Sequence, residues 1–364
     1  MPRIKFLKKR GKQPAEFELP TPKPKTRALP KPPPPIPIYP MRFMEIFKKK
    51  IWGGAGLRKV LGKKCSGKIG ESLELAHFGR DVSVVANGKL KGRSLADLYP
   101  DYRRKIAGED VGVRFPGAFP LLVKFLCCED RLSLQVHPSD DFASRYEAAE
   151  HGKMEAWYVV HAPPGSRVIR GVLPGITIAE FRLSLERGKI EECVNVMEVA
   201  PGDVIFIPPG TVHSAYGGVI ALEIQQNSDL TYRLTDWGRS DFNGRPRDLS
   251  VNKAISVMDF YTMGVTKFRP QRLTGYNYKR KLLLKCEKFT MEMIELSGRR
   301  MRETLDGSRA LVMTIVCGGG QFRFGPKFKS KEPFAAGQTF LMPAAIGSYE
   351  IAARGKTEIV VAYV

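Results

Sequence analysis

"GDVIFIPPGTVHSAYGG" occupies Gly202–Gly218. Val204–Ile207 is a run of four β-branched or aromatic residues, with the length and composition of a buried strand. Pro208, Pro209 and Gly210 stop the ladder and turn the chain, because proline lacks a donor and glycine tolerates positive φ. A second apolar segment then begins on a single histidine, His213. A strand, a turn and a strand headed by one imidazole fit two readings. The histidine is a bystander in a β-turn, or it is half of a metal site whose other ligands lie elsewhere in the chain.

Working outward, the same texture recurs. "LLVKFLCC", "LSLQVHP", "AWYVVHAPPGS", "VIALEIQQ", "ALVMTIVCGGG", "TFLMPAA" and "TEIVVAYV" are short apolar runs separated by Gly, Pro or Asp. Such spacing predicts a β-sandwich or barrel. Helical texture is confined to "SLADLYPDYRRKIAG", "ITIAEFRLSLERGKIEECV" and "VNKAISVMDFYTM". "VAPGDVIFIPPGTVHSAY" has an echo near the C-terminus in "FAAGQTFLMPAAIGSYEI", where Ile346-Gly347 stands in place of Val212-His213. The expected architecture is mainly β, with two cupin-like β-barrel or jelly-roll domains and a few helices. The first, residues 39–245, would hold the site; the second, residues 246–364, would lack the metal.

Residues 1–38 read differently. Residues 1–40 carry 12 of the 27 prolines, and residues 1–50 carry 14 Lys/Arg against 3 Glu, half of the net charge of +22. This composition predicts a disordered basic tail able to contact an acidic partner. Nucleic-acid recognition gains no support, since no zinc-finger, RRM or helix-turn-helix pattern accompanies the charge. No apolar run is long enough to span a membrane, and the basic N-terminus lacks the apolar core of a secretory signal. Six cysteines without CxxC spacing predict reduced thiols and a cytoplasmic protein.

Only five histidines exist. Gln135 and His137 are two apart, so on a strand they face one side. Glu155 opens another apolar strand, with Lys153 two residues before it. A barrel can bring Gln135, His137, Glu155 and His213 to one point. Two imidazoles, a carboxylate and an amide oxygen suit Zn²⁺ or another borderline divalent ion, with room for water or substrate.

Gly202–His213 resembles the second cupin motif, although Gly217 replaces its terminal Asn. "LSLQVHPSDDFA", "GKMEAWYVV", "PPGTVHSAYGGVIALEIQQNSDLTYRLTDWGR" and "GRPRDL", with "IWGG", "IGES" and "DVSVVANGKLKGRSL" upstream, resemble the type I phosphomannose isomerases of the cupin superfamily, in their short bacterial form. The resemblance covers residues 39–364. It implies that Gln135, His137, Glu155 and His213 hold one zinc ion. It also implies that Arg233 is catalytic, and that Lys153, Lys124 and Ser133 line the pocket of a hexose 6-phosphate, with Asp229 nearby. Longer members have a histidine directly before the metal-strand lysine, where this chain has Gly152. Leu73 and Met154 are further departures, and Met154 should point away from Glu155.

The implied reaction interconverts mannose 6-phosphate and fructose 6-phosphate through a cis-enediol. Arg233 would steady the enediolate or orient the phosphate, and Lys153 would act beside it in catalysis. Lys153, Asp229 and a hydroxide on the metal all stay open as the base. A metal-dependent cupin oxygenase and a non-catalytic sugar- or nucleic-acid-binding cupin are the alternatives.

Overall fold

A computed structural model describes residues 33–147, 151–261, 271–273 and 278–364. The expected tail therefore lies mostly outside the described residues. Its last part, 33–38, has no regular structure, yet Ile36 already packs against the core.

The protein is mainly β, as the short apolar runs predict. Two antiparallel sheets face each other in a cupin-like sandwich. One has six strands in the order Val204–Ile207, Glu155–His161, Val219–Gln226, Leu121–Cys128, Ile69–Leu75, Ile46–Gly54. The other has five, in the order Val194–Glu198, Arg167–Val172, His213–Tyr216, Leu134–Val136, Tyr232–Thr235. Leu126, Trp157, Ile205 and Val219 of the first meet Val168 and Ala215 of the second between the layers.

The six-stranded sheet is covered on its other face too. There Val123, Phe125, Tyr158 and Leu222 pack with Leu283, Met293, Val312, Leu341 and Val360. A strand buried on both faces has no reason to alternate, which explains why all eight residues of Leu121–Cys128 are buried and apolar but for Lys124. Adjacent Cys127 and Cys128 accordingly join different clusters. All six thiols are free.

The covering layer is a nine-stranded antiparallel sheet built mainly from residues after 270. Its long strands Leu311–Phe324 and Ser348–Tyr363 also enclose a separate core of Ile315, Phe322, Phe340, Tyr349 and Ile359. The long strand shifts register around Cys317–Gly319. A Cβ on Gly318 would sit 2.1 Å from the Lys356 carbonyl, so the backbones meet there only because the residue is glycine. The edge strand of this sheet comes from far upstream: Met41 and Arg42 pair with Leu341 and Phe340.

Helices form where capping residues permit. Ser94 and Asp97 make a capping box on Leu95–Ala107, and Thr177 and Glu180 do so on Ile178–Glu186. The helix expected in "VNKAISVMDFYTM" stops at Val257. Three short helices, Gly56–Leu61, Glu109–Arg114 and Asp140–Tyr146, were not expected. No helix among the described residues is long and apolar enough to cross a membrane.

Candidate metal centre and its pocket

The Pro208–Pro209–Gly210 turn carries the chain from one sheet to the other. Ile207 pairs with Glu155 in the six-stranded sheet, and His213 pairs with Gln135 in the five-stranded sheet. The turn thus sets an imidazole on one layer opposite a carboxylate on the other. Gly210 (φ 84°) donates its N–H to the His137 carbonyl at 2.8 Å, and a Cβ there would press on the Val257 carbonyl at 2.9 Å. The loop bearing His137 and the turn leading to His213 are therefore locked together.

His137, Glu155 and His213 offer ligand atoms that lie within 4.8 Å of one another, and all three are buried. His137 Nδ1 is 2.9 Å from the Leu230 carbonyl, and His213 Nδ1 is 2.9 Å from the Thr211 carbonyl. A carbonyl can only accept, so each Nδ1 carries the proton and each Nε2 presents a lone pair. His213 Nε2 lies 3.2 Å from Glu155 Oε1, and His137 Nε2 lies 3.6 Å from Oε2. Neither His137 Nε2 nor either Glu155 oxygen has a well-aligned hydrogen bond. Burial, then the Lys153 ammonium, push the His137 imidazole down to about 3, so it is neutral at ordinary pH. Burial works against the Glu155 carboxylate, but the Lys153 ammonium holds it well below its usual range. Apart from the Lys153 ammonium 2.9 Å from Glu155 Oε2 and the Gln135 amide beside His213 Nε2, these buried acceptor atoms converge without donors among the described residues, which is costly unless a cation joins them. The donor set fits a borderline divalent metal.

Gln135 stands at the edge of this cluster. As placed, its amide nitrogen donates to His213 Nε2 at 3.1 Å and its oxygen accepts from Ser133 Oγ at 3.3 Å. Exchanging the two ends of the amide sets the oxygen beside the other ligand atoms.

A cavity of 240 Å³ adjoins the cluster, and Lys124, Ser133, Gln135, Lys153, Asp229 and Arg233 all line it. Every non-metal site residue expected from sequence therefore lines this one cavity. Lys50, Trp52, Glu71, Glu223 and Arg247 line it as well. Trp52, Glu71 and Arg247 sit in the stretches "IWGG", "IGES" and "GRPRDL". Glu223 is the lone carboxylate of "VIALEIQQ", an anomaly in a central strand that was open to notice.

Charges alternate along the wall. Lys153 Nζ lies 2.9 Å from Glu155 and 3.4 Å from Glu223; Lys124 lies 3.2 Å from Glu223 and 3.7 Å from Asp229; Lys50 lies 3.2 Å from Glu71. Burial disfavours the Lys124 and Lys153 ammonium groups, but the carboxylates outweigh it and raise both above the usual lysine range. Burial, then Glu155, push the Glu223 carboxyl up to about 8. Arg233 Nη1 donates to the Asp248 carbonyl at 2.8 Å, while its Nε has no partner. Burial and then neighbouring Arg247 lower its pKa.

Gly152 fills its place for a steric reason. A Cβ there would meet Asp140 N and Ser139 C at 2.3 Å, so no histidine fits. His151 is exposed and lines a different cavity with Gln226 and Lys288. Met154 points into the core, as strand alternation predicts.

Residues 41–159 match the family model of the phosphomannose isomerase type I catalytic domain. The chain is 33% identical over 329 residues to mannose-6-phosphate isomerase ManA of Bacillus subtilis, covering 89% of this chain and 98% of that protein. It is 32% identical over 327 residues to a mannose-6-phosphate isomerase of Streptococcus mutans, covering 89% and 98%. Among solved structures, the mannose 6-phosphate isomerase of Bacillus subtilis aligns with a TM-score of 0.81 at 28% identity, over 89% of this chain and 99% of that one. A putative mannosephosphate isomerase from Archaeoglobus fulgidus shares the fold, with a TM-score of 0.71 at 22% identity over 90% and 98%.

Proposed function

The chain belongs to the type I phosphomannose isomerases and isomerises mannose 6-phosphate; from that premise we propose that it forms fructose 6-phosphate reversibly, through a cis-enediol, with one zinc ion. The convergence of His137, Glu155 and His213 beside a cavity lined by Lys124, Lys153 and Arg233 carries this reading. Those three residues and the Gln135 oxygen would hold the ion. When bound, zinc supplies Lewis acidity to the sugar oxygens and lowers the cost of enediolate charge.

The protein's own groups divide the remaining work. Lys153, kept protonated by Glu155 and Glu223, donates a proton to a sugar oxygen and cannot serve as the base. Asp229, exposed at the cavity, is ionised, held down by the Lys124 and Lys153 ammonium groups, and is available to accept the carbon proton. Arg233 steadies the anionic intermediate with parallel donors. Ser133 and Lys124 fix the sugar hydroxyls. The free thiols support a cytoplasmic setting. No observation favours the oxygenase or the non-catalytic reading.

A coupled assay on mannose 6-phosphate tests this directly. Chelation should abolish turnover and zinc should restore it, with about one ion per chain. His137→Ala and His213→Ala should each lose both ion and activity. Full turnover by metal-free protein would overturn the assignment.

A further inference from the structure

A hexose 6-phosphate brings a dianion into the cavity, and its cationic groups are not equally available. Lys153, Lys124 and Lys50 each face one or two carboxylates within 3.7 Å. Glu155 matches Lys153, Asp229 matches Lys124 and Glu71 matches Lys50, without counting Glu223. Arg233 is different: among the described residues its hydrogen bond goes to a backbone carbonyl, and its Nε is buried without a partner. Arg247 lines the same cavity and is held from behind. Asp236, 4% exposed, accepts from Arg247 Nε at 2.6 Å and from its Nη2. That fork leaves Nη1 with no hydrogen bond among the described residues. Asp236 also accepts from Arg239 Nη2 at 2.8 Å, so two guanidinium groups share one carboxylate. Asp130, 3.0 Å from Arg239, offsets only that arginine. Asp248 also acts on Arg233, so what this side of the pocket offers an anion is donor atoms rather than excess charge: Arg247 Nη1 and Arg233 Nε have no hydrogen bond among the described residues.

We propose that Arg247 is the arm of a phosphate subsite beside Arg233, and that Asp236 is the positioning residue that presents it. The inference rests on the proposed hexose 6-phosphate substrate. The phosphoryl oxygens accept from Arg247 Nη1, while Arg233 on the same cavity stays with the anionic intermediate. Asp236 fixes the Arg247 fork before the ligand arrives, which reduces the ordering cost of binding. It also keeps Arg247 from swinging towards Glu71 or Glu223. The device selects phosphorylated sugars, and neither Arg247 nor Asp236 is one of the residues that would hold the metal.

The test compares wild type, Arg247→Ala, Arg247→Lys and Asp236→Asn as zinc-loaded proteins. Two constants are read: KM for mannose 6-phosphate, and the inhibition constant of inorganic phosphate. In Arg247→Ala both should rise together by about tenfold or more, the worth of a charge-assisted hydrogen bond, with a smaller change in kcat. Arg247→Lys should recover only part of the loss. Asp236→Asn should move the same two constants in the same direction while keeping its zinc. A merely structural role would lower the melting temperature without moving phosphate inhibition, and would overturn the positioning assignment. Unchanged phosphate inhibition in Arg247→Ala would overturn the subsite, even if Asp236→Asn fails to fold. If wild type does not turn over mannose 6-phosphate, the functional reading falls. Calorimetric titration of wild type and Arg247→Ala with inorganic phosphate then decides the subsite alone.

Discussion

Arg233 pairs in register with Gln135, so a guanidinium and the amide at the edge of the metal cluster sit on adjacent strands with side chains on one face. A solvated surface arginine in that position would be dispensable, and Arg233→Ala would change stability by under about 0.5 kcal/mol. The placement predicts more. Arg233→Ala should keep its zinc and its fold, and kcat should fall about 10²-fold or more, as when one preorganised charge donor is removed. Arg233→Lys should rescue poorly, because a point ammonium cannot reproduce the fork. Steady-state kinetics on zinc-loaded protein checks both; a raised KM alone would move Arg233 to ground-state binding. At this scale the sequence was informative wherever a residue type was unusual for its surroundings. His213 was legible because it follows a turn built to place it. Glu223 and Asp236 were missed because a carboxylate gains its meaning from the lysine or arginine it faces, and those partners come from other strands or from 11 residues along the chain.

The strands were the most readable elements and the short helices the least. Leu121–Cys128 and Val219–Gln226 show as apolar runs because both faces are buried, but nothing in such a run says which layer covers which face. Gly56–Leu61 and Asp140–Tyr146 span 6 and 7 residues, under two turns, too short for a helical period to emerge. The second did carry a start signal in Ser139 followed by two aspartates. In the nine-stranded sheet, Glu350 is 1% exposed and pairs with Arg302 at 2.9 Å and Arg323 at 3.0 Å. Burial raises its pKa, but the two arginines outweigh that and hold it below the ordinary value of 4.5. Its stabilisation is therefore complete above that value and is lost as pH falls through the lower, folded-state pKa. Glu350→Gln should cost about 1–3 kcal/mol at neutral pH. The gap to wild type in urea melts should narrow as the pH is lowered below 4, and a gap independent of pH would refute the pairing as its source.

For the whole molecule, residues 1–32 and residues 33–43 should behave in opposite ways. The proline and charge density of the first group predicts that deleting it leaves kcat and melting temperature nearly unchanged. Deletion through Phe43 removes Tyr39, Met41 and Phe43 from the core, all under 8% exposed, together with the edge strand. Each such loss costs about 2–5 kcal/mol, so the longer deletion should melt far lower or fail to fold. Thermal unfolding of the two truncations separates them, and equal melting temperatures would contradict the described packing. The Met41–Leu341 pairing has a further consequence, in time rather than energy. During synthesis Met41 leaves the ribosome 300 residues ahead of its partner. At roughly 5–20 residues per second, that is a wait of about 15–60 s. Phe43 and Tyr39 meet Val85, Asn87 and Leu90 within about 50 residues, but the Met41–Arg42 edge has no sheet strand to pair with for that interval. The nascent chain thus carries one unpaired strand near Met41 until almost all of the nine-stranded sheet has been made.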